Sequence, residues 1–270
     1  RRVMNVTENT MENVEQPLVS VITPSYNCAK FIAETIQSVK KQTYLNWEMV
    51  IVDDCSTDNS RDIIREEMKK DDRIRLITLE ENSGAAVARN TALVNANGTY
   101  VAFLDSDDLW LPQKLEKQIS FMEKNGYAFS FTKYRIMKED GTPTNSVVNI
   151  PDEIDYKGLL KNTIIGCLTA VVNIEKTGPI EMPNIRTRQD FALWLSILKR
   201  GFHAYGLQEE LALYRKVEGS ISSNKKKAAA QTWHVYREIE KLSLPYAIWV
   251  FAHYAFHAYR KSRIKEGSLS

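Results

Sequence analysis

The first 110 residues alternate short apolar runs with segments of helical periodicity. Four runs rich in β-branched and aromatic residues predict strands at 18–23, 47–52, 73–79 and 100–104. The segments between them space their apolar residues as helices do, and predict helices at 29–41, 58–69 and 83–95. Strands that alternate with helices of this length are typical of βαβ units. We therefore expect an α/β fold with a mostly parallel central sheet flanked by helices.

The second half of the chain is less regular. Its pattern predicts a helix at 112–125, strands at 128–137 and 168–174, and a turn-rich excursion at 140–151. An amphipathic helix at 188–200 and short strands at 203–206 and 211–214 follow. Two helices broken near Pro245 are expected from position 224 onward. We expect a loose polar arm at 1–16, one α/β domain at 17–223, and a helical C-terminal extension at 224–270.

Composition narrows the class of protein. The chain of 270 residues is 43% hydrophobic and 26% charged, which is typical of a soluble globular protein. Its 36 Lys and Arg residues nearly balance 34 Asp and Glu residues, which argues against a nucleic-acid partner. Three cysteines without a CxxC pair argue against a disulfide scaffold or a cysteine zinc site, and favour a reducing compartment. No apolar stretch is long enough to predict a standard membrane-spanning helix.

Polar segments follow three of the predicted strands. The sequence reads PSYN from Pro24, DDCSTD from Asp53 and DSDD from Asp105. These segments converge on one edge of a parallel sheet, where ligands of such sheets bind. Asp105 and Asp107 are spaced so that both can address one Mg²⁺ or Mn²⁺ ion. A plain Asp-rich turn that also supplies the N-cap of the next helix explains the same residues.

The ordered set of segments carries more information than any one of them. PSYN, VDDCSTD, ENSGAAVARN and FLDSDDLWLPQKLE occur in this order, each at a strand-to-helix junction. Over 17–223 the chain resembles the family 2 glycosyltransferases, which have the GT-A fold. The resemblance implies a catalytic domain with a nucleotide-binding half at 17–110 and an acceptor-binding half at 111–223.

The resemblance also implies roles for individual residues. Six residues would form the nucleotide-sugar site: Pro24, Tyr26, Asp54, Arg89, Asp105 and Ser106. Tyr26 would lie against the base or ribose, and Asp54 would accept a hydrogen bond from the uracil ring. Asp107, together with Asp105, would bind a divalent metal, Mn²⁺ or Mg²⁺, that bridges to the diphosphate of a UDP-sugar.

Two downstream segments extend the resemblance. QDFALW from Gln189 is similar to the segment that supplies the family's catalytic base, here Asp190. Asp is also a favoured helix N-cap, and the residues alone favour that structural role. The stretch LALYRKVEGSIS has Val217 where many members have a histidine, so a third protein metal ligand is not expected there. Ser220 or Ser222 would lie near phosphate.

The aromatic tail admits two interpretations. Residues 242–259 read LSLPYAIWVFAHYAFHAY and are followed by Arg260, Lys261 and Arg263. This segment either packs on the domain as an ordinary core helix, or lies at a membrane surface with its aromatic residues at headgroup depth. The second interpretation gives the 242–265 segment a membrane partner.

The resemblance leads to a functional expectation. We expect an inverting, metal-dependent glycosyltransferase that transfers sugar from a UDP-sugar to a saccharide or polyprenyl-linked saccharide in bacterial surface-polysaccharide synthesis. Such an enzyme would be cytoplasmic, or peripheral on the inner face of the plasma membrane. Two rivals remain: a nucleotidyltransferase that makes nucleotide sugars, and a non-catalytic nucleotide-sugar-binding module. The first would need a Gly-rich basic loop after strand one, which PSYNCAKF does not provide.

Overall fold

The first half of the chain forms the expected alternation of strands and helices. The structure is a computed structural model that describes residues 16–217 and 225–266. Its first seven elements are β1 (Val19–Ser25), α1 (Ile32–Lys40), β2 (Trp47–Asp53), α2 (Ser60–Met68), β3 (Ile74–Thr78), α3 (Ala85–Val94) and β4 (Tyr100–Phe103). The four strands pair in parallel in the order β3-β2-β1-β4. Their carboxyl ends therefore meet at one edge of the sheet.

The second half extends the same sheet. Its strands are β5 (Leu109–Trp110), β6 (Phe129–Met137), β7 (Pro143–Val148), β8 (Glu153–Ile154), β9 (Val171–Asn173) and β10 (Ala204–Arg215). Its helices are α4 (Lys114–Asn125), α5 (Tyr156–Lys161), α6 (Ile174–Thr177), α7 (Gln189–Lys199), α8 (Lys225–His234) and α9 (Leu244–Glu266). The sheet continues from β4 through β9, β6 and β10 to β5, with β9 antiparallel to both neighbours.

Two expectations about the second half are wrong. The segment expected to be a turn-rich excursion contains β7, which pairs antiparallel with β6. The polar side chains of β7 hide its period, because the strand lies at the sheet edge and alternates exposed with half-buried positions. The two short strands expected at 203–206 and 211–214 are one strand, β10. Irregular pairing between Leu207 and Ala212 interrupts its apolar alternation without ending the strand.

The core consists of two apolar layers, one on each face of the sheet. Successive residues of β1 point to opposite layers, as the pleat requires: Val21 belongs to one and Ile22 to the other. The layer that contains Ile22 also contains Trp194 of α7, whose indole packs edge-on against Phe103 at 5.2 Å between ring centroids. Helix α7 is thus held against the strand that precedes the Asp-rich turn.

The C-terminal helices contribute to the same layer as α7. Tyr236 and Val250 are fully buried there, and the Tyr236 hydroxyl donates to the carbonyl of Leu160. The helix break lies before Pro245 rather than at it. Lys241 has a positive φ of 52°, and Pro245 is the second residue of α9, where a missing N–H costs little. None of the helices in the described ranges is both long and apolar enough to cross a membrane.

Candidate active site

The ends of β1 and β2 form the first wall of the site. Ser25 lies opposite Asp53 in the parallel register, and the Asp54 amide donates to the Ser25 carbonyl at 2.8 Å. Pro24 is half-buried at this edge. Tyr26 is 52% exposed, so one of the largest apolar side chains near the sheet edge remains accessible to a ligand.

Asp54 is used in a way that the sequence analysis did not anticipate. Its two carboxylate oxygens accept hydrogen bonds from the amides of Ser83 at 2.7 Å and Gly84 at 2.8 Å. These amides open α3 and would otherwise lack partners, since the first N–H groups of a helix have no intrahelical acceptor. Gly84 has φ +92°, a conformation that favours glycine at the turn into α3. Asp54 therefore fixes the start of α3, and only its remaining lone pairs can face a nucleotide.

Two neighbouring residues of α3 each hold one loop of the site in place. Arg89 is buried and donates through Nη2 to the carboxylate of Asp105 at 2.5 Å. Asn90 exchanges two hydrogen bonds of 2.8 Å with the backbone of Met182, in the loop that leads to α7. The arginine thus holds the Asp-rich turn after β4, and the asparagine holds the approach to the predicted base.

The Asp-rich turn concentrates carboxylates where burial penalises their charge. Burial and the adjacent charge of Asp105 raise the pKa of Asp107 to about 6. Burial and the charge of Asp107 raise the pKa of Asp108 well above its usual value. The turn does not cap α4, which begins after Gln113 without a side-chain cap. The capping part of the plain-turn alternative is therefore wrong.

Arg215, at the end of β10, offsets part of the negative charge of this turn. Its guanidinium donates to the carbonyls of Asp107 and Glu139, both at 2.7 Å, and to the Glu34 carboxylate at 2.6 Å. Its backbone amide donates to the Asp108 carboxylate at 2.8 Å. One fully buried arginine therefore ties the Asp-rich turn to α1 and to the turn that precedes β7. This residue belongs to the stretch LALYRKVEGSIS quoted above, although its partners lie more than 70 positions away in sequence.

The predicted base lies in the first turn of α7. Asp190 is the second residue of α7, half-buried, and accepts no hydrogen bond from the described residues. The helix is capped by Arg188 in a left-handed conformation, without a side-chain cap. The capping role that the residues alone favoured for Asp190 is therefore wrong, and its carboxylate is left available to a ligand.

Electrostatics place Asp190 within reach of the Asp-rich turn. Burial lowers the pKa of the Arg89 guanidinium, but the charges of Asp105 and Asp190 outweigh this effect and raise the pKa above its usual value. Burial raises the pKa of the Tyr134 phenol, and the charges of Asp108 and Asp190 raise it further. Tyr134 packs beside Gly166, where an added Cβ would lie 3.0 Å from its ring. Arg89 and Tyr134 are thus each close enough to both carboxylate groups for their pKa to respond to those charges.

The chemistry of the turn fits a hard divalent cation that is shared with a phosphate ligand. Asp105 is already balanced by Arg89, whereas the Asp107 side chain receives no side-chain donor in the described chain. Carboxylate oxygens are the protein ligands of Mg²⁺, which usually keeps waters and substrate phosphates as its other ligands. Within the described ranges, no three His, Cys, Asp or Glu side chains form a complete metal cage. Asp107, with Asp105 beside it, therefore fits a metal site completed by diphosphate oxygens and water.

The structure brings together most, but not all, of the residues predicted for the site. Arg89, Asp105 and Asp107 share one cluster, and the charge of Asp190 reaches its arginine. Ser106 is half-buried in the same turn, with its carbonyl accepting from Thr35 at 3.0 Å. The serines expected near phosphate, at 220 and 222, lie outside the described residues. Asn90 was missed, and Arg215 and Asp108 stood in quoted segments without an assigned role, because their importance lies in partners that are distant in sequence.

A family profile decides the classification. The profile described as glycosyl transferase family 2 matches residues 20–174, which is more than half of the chain. The chain belongs to glycosyl transferase family 2. The matched range includes the ends of β1, β2 and β4 and both residues of α3 described above. Asp190 and Arg215 lie beyond it.

Two relatives extend the similarity over most of the chain. Bacillus subtilis TuaG, assigned by name to teichuronic acid biosynthesis as a glycosyltransferase, is 59% identical over 91% of this chain and 98% of its own length. Escherichia coli WfgD, named as a UDP-Glc:α-D-GlcNAc-diphosphoundecaprenol β-1,3-glucosyltransferase, is 46% identical over 81% of this chain and 85% of its own. Both alignments extend beyond the range of the family profile.

Solved structures show the same fold. Staphylococcus aureus TarS 1–349 in complex with UDP-GlcNAc matches with a TM-score of 0.70 over 88% of this chain and 71% of that chain, at 23% identity. The Pyrobaculum calidifontis mannosyltransferase PcManGT, in complex with GDP-Man and Mn²⁺, matches with a TM-score of 0.67 over 89% and 69%, at 20% identity. This family 2 chain therefore has the GT-A fold that the sequence predicted.

Proposed function

We propose that this family 2 enzyme transfers a sugar, with inversion, from a UDP-sugar to a saccharide or polyprenyl-linked saccharide during synthesis of a bacterial capsule, O-antigen or exopolysaccharide. The observation that carries the proposal is that carboxylates from two distant parts of the chain lie near one buried arginine. Asp105, after β4, accepts a hydrogen bond from Arg89, and the charge of Asp190, at the start of α7, also raises the pKa of that guanidinium. The names of TuaG and WfgD support the polysaccharide and lipid-linked assignments.

The donor site would use the edge formed by β1, β2 and α3. Tyr26 presents an exposed ring on which a base can stack, beside half-buried Pro24. Asp54 retains lone pairs for a uracil N–H, while its oxygens also accept the hydrogen bonds from the Ser83 and Gly84 amides that hold the start of α3. Arg89, Ser106 and Asp105 would border the diphosphate. The nucleotide-binding half would then span 17–110, the acceptor-binding half 111–223, and the helical extension 224–270.

Asp107 and Asp105 would hold Mn²⁺ or Mg²⁺ against the diphosphate. When bound, the cation supplies charge neutralisation and Lewis-acid stabilisation to the departing nucleotide. The protein's own contribution is to keep Asp107 in place, which Arg215 does through the Asp107 carbonyl. The raised pKa of Asp107 shows that the pocket disfavours uncompensated negative charge, so a cation would relieve it.

Asp190 would act as the general base. Its carboxylate has no hydrogen-bond donor among the described residues, so it can accept the proton of an acceptor hydroxyl. A base opposite the leaving group gives a single displacement and inversion at the anomeric carbon. Packing of Trp194 against Phe103 and Phe129 fixes the helix that carries Asp190, which supplies the orientation that such a transfer requires.

The name of WfgD supports a proposal for the acceptor and for the place of action. We propose a lipid-linked saccharide acceptor, as WfgD is named for one. The enzyme would then act at the cytoplasmic face of the plasma membrane. The three cysteines, free in the structure, suit a reducing compartment.

Release of UDP tests the proposal against its rivals. A panel of UDP-sugars is incubated with the enzyme and Mn²⁺, with and without a diphospho-lipid saccharide acceptor, and UDP is quantified. The proposal predicts acceptor-dependent UDP release with one donor, and its loss in EDTA. A binding module would release no UDP with any donor. A nucleotidyltransferase would instead release pyrophosphate from UTP and a sugar phosphate, which a parallel reaction measures.

A further inference from the structure

Helix α9 has two chemically distinct faces. Ala247, Val250 and Tyr254 face the domain and are buried. Leu244 and Ile248 are 52% and 55% exposed, and Trp249 is 46% exposed, on the far side of the same helix. At 100° per residue these three side chains fall within an arc of about 140°. Phe256 and Tyr259 continue this exposed arc. We call this surface, centred on Leu244, Ile248 and Trp249, the outer face of α9.

An outer face of this composition is unusual for a surface that meets only water. Soluble domains rarely expose contiguous large apolar side chains unless they bind something. Tryptophan and tyrosine are enriched where a protein meets the polar headgroups of a bilayer, because each ring has an apolar body and a polar edge. The outer face has this composition along at least four turns of helix.

Basic residues lie beside the outer face and are frequent in the C-terminal sequence. Lys161 of α5 places its Nζ 4.4 Å from the centre of the Trp249 ring, and Lys157 is exposed on the same helix. In sequence, 224–270 contains nine Lys or Arg residues and three Glu residues, although the whole chain carries only +2. Glu240, one of the three, is buried and paired with Lys199. The charge therefore complements an anionic partner, and apolar area plus basic residues together match an anionic bilayer.

The inner face of α9 reaches the catalytic helix. Arg188 donates to the Tyr254 hydroxyl at 3.2 Å, and Arg188 is the N-cap residue of α7, two positions before Asp190. Since a helix with its side chains is about 10 Å across, the outer face lies roughly one helix diameter from the start of the catalytic helix. A surface bound to the outer face would therefore be separated from the start of the catalytic helix by α9 and the Arg188 side chain.

We propose that the outer face of α9 is a docking surface for an anionic phospholipid bilayer. Docking would bring the start of α7, which carries Asp190, toward the headgroup layer, where a polyprenyl-linked saccharide presents its sugar. The part concerning the acceptor rests on the proposed function, whereas docking itself does not depend on it.

Vesicle flotation of the full chain tests docking without nucleotide or acceptor. The face variant carries Leu244→Ser, Ile248→Ser and Trp249→Ser. Its control carries Leu45→Ser and Val94→Ser, which change apolar residues that are more exposed and lie elsewhere. Wild type and control are expected to float with phosphatidylglycerol-containing vesicles, and the face variant to lose at least about tenfold in partitioning. Equal flotation of all three, or none for wild type, would overturn the proposal.

A charge variant and a measurement of oligomeric state test the remaining alternatives. Lys157→Glu with Lys161→Glu should weaken flotation with anionic but not neutral vesicles, whereas Lys124→Glu on α4 should change neither. If the outer face instead binds a second copy of the chain, light scattering will show a wild-type dimer that the face variant loses, which refutes the bilayer as occupant. All variants are first compared by thermal unfolding, so that loss of folding is not read as loss of docking.

Transfer assays separate this proposal from the proposed function. The face variant should retain wild-type transfer to a water-soluble acceptor analogue, yet lose transfer to the same saccharide on a vesicle-borne polyprenyl diphosphate. Loss on both acceptors would show that the face supports the active site rather than the membrane. Absence of transfer in wild type, with flotation intact, would refute the proposed function and leave docking standing.

Discussion

Replacement of Arg215 by methionine tests whether this residue positions the Asp-rich turn. Methionine preserves the apolar stem of the side chain but removes the donors to the carbonyls of Asp107 and Glu139 and to the Glu34 carboxylate. A hydrogen bond that involves a charged group contributes about 1.5–3 kcal/mol, and the loss at half-exposed Glu34 adds less than about 1 kcal/mol. The two carbonyl bonds together account for about 3–6 kcal/mol, so we expect Arg215→Met to lower the free energy of unfolding by roughly 3–7 kcal/mol.

The same substitution should affect nucleotide binding separately from stability. Without its donor, the Asp107 carbonyl no longer fixes the turn, so the affinity for UDP in Mn²⁺ should fall at least about tenfold. Arg215→Lys should recover part of both losses, because lysine keeps the charge but cannot reach all three acceptors.

Urea unfolding and calorimetric titration of UDP measure the two effects. Arg200→Met is the control, since Arg200 is exposed and makes a single bond, to the Thr177 carbonyl. It should cost about 1 kcal/mol and leave affinity unchanged. Loss of stability with unchanged UDP affinity would show that Arg215 is structural only. Loss of less than about 1 kcal/mol would refute the reasoning from its hydrogen bonds.

Three further predictions concern single residues. Asp54→Asn should lower stability by about 1–3 kcal/mol without any nucleotide, because its amide opposes the N–H of Gly84, as urea unfolding will show. Burial lowers the pKa of Lys114 to about 7, so between pH 7 and 10.5 the unfolded chain holds the extra proton. Wild-type stability relative to Lys114→Met should therefore rise with pH across this window, by at most about 5 kcal/mol. Tyr26→Ala should raise the KM for the donor by about 5- to 100-fold through lost base stacking.

Each of these predictions has a matched control. Asp62→Asn changes an exposed carboxylate on α2 and should leave stability within about 0.5 kcal/mol. A pH-independent difference for Lys114, like the one expected for exposed Lys124→Met, would contradict its burial as an uncharged amine. Tyr26→Phe keeps the ring and should keep the KM, and equal effects of phenylalanine and alanine would exclude stacking.

Local patterns were sufficient where local physics decides the structure. Strands β1 to β4 alternate with helices in sequence and all run parallel in the sheet, so apolar runs and turn residues located them. The same order placed Asp105 and Asp107 at the carboxyl end of the sheet. Each of these features belongs to a βαβ unit, in which a single helix connects two parallel strands.

Long-range partners explain what the patterns missed. Arg215 is 181 positions from Glu34, and nothing in either neighbourhood indicates that they meet. Asp54 was expected to face the nucleotide, but the amides of Ser83 and Gly84 compete for it once α3 folds beside β2. Strand β7 is polar because it lies at an edge, where pairing comes from the backbone of β6. In each case a contact distant in sequence decides what the residue does.

The central claim is that Asp190 acts on the acceptor while the Asp-rich turn holds the donor. Transfer rate and UDP affinity in Mn²⁺, measured on one preparation of Asp190→Asn, test it most directly. We predict that transfer falls by about 10²–10⁴-fold while UDP affinity stays within about twofold of wild type. Retention of transfer within tenfold of wild type, or a parallel loss of UDP affinity, would contradict the claim.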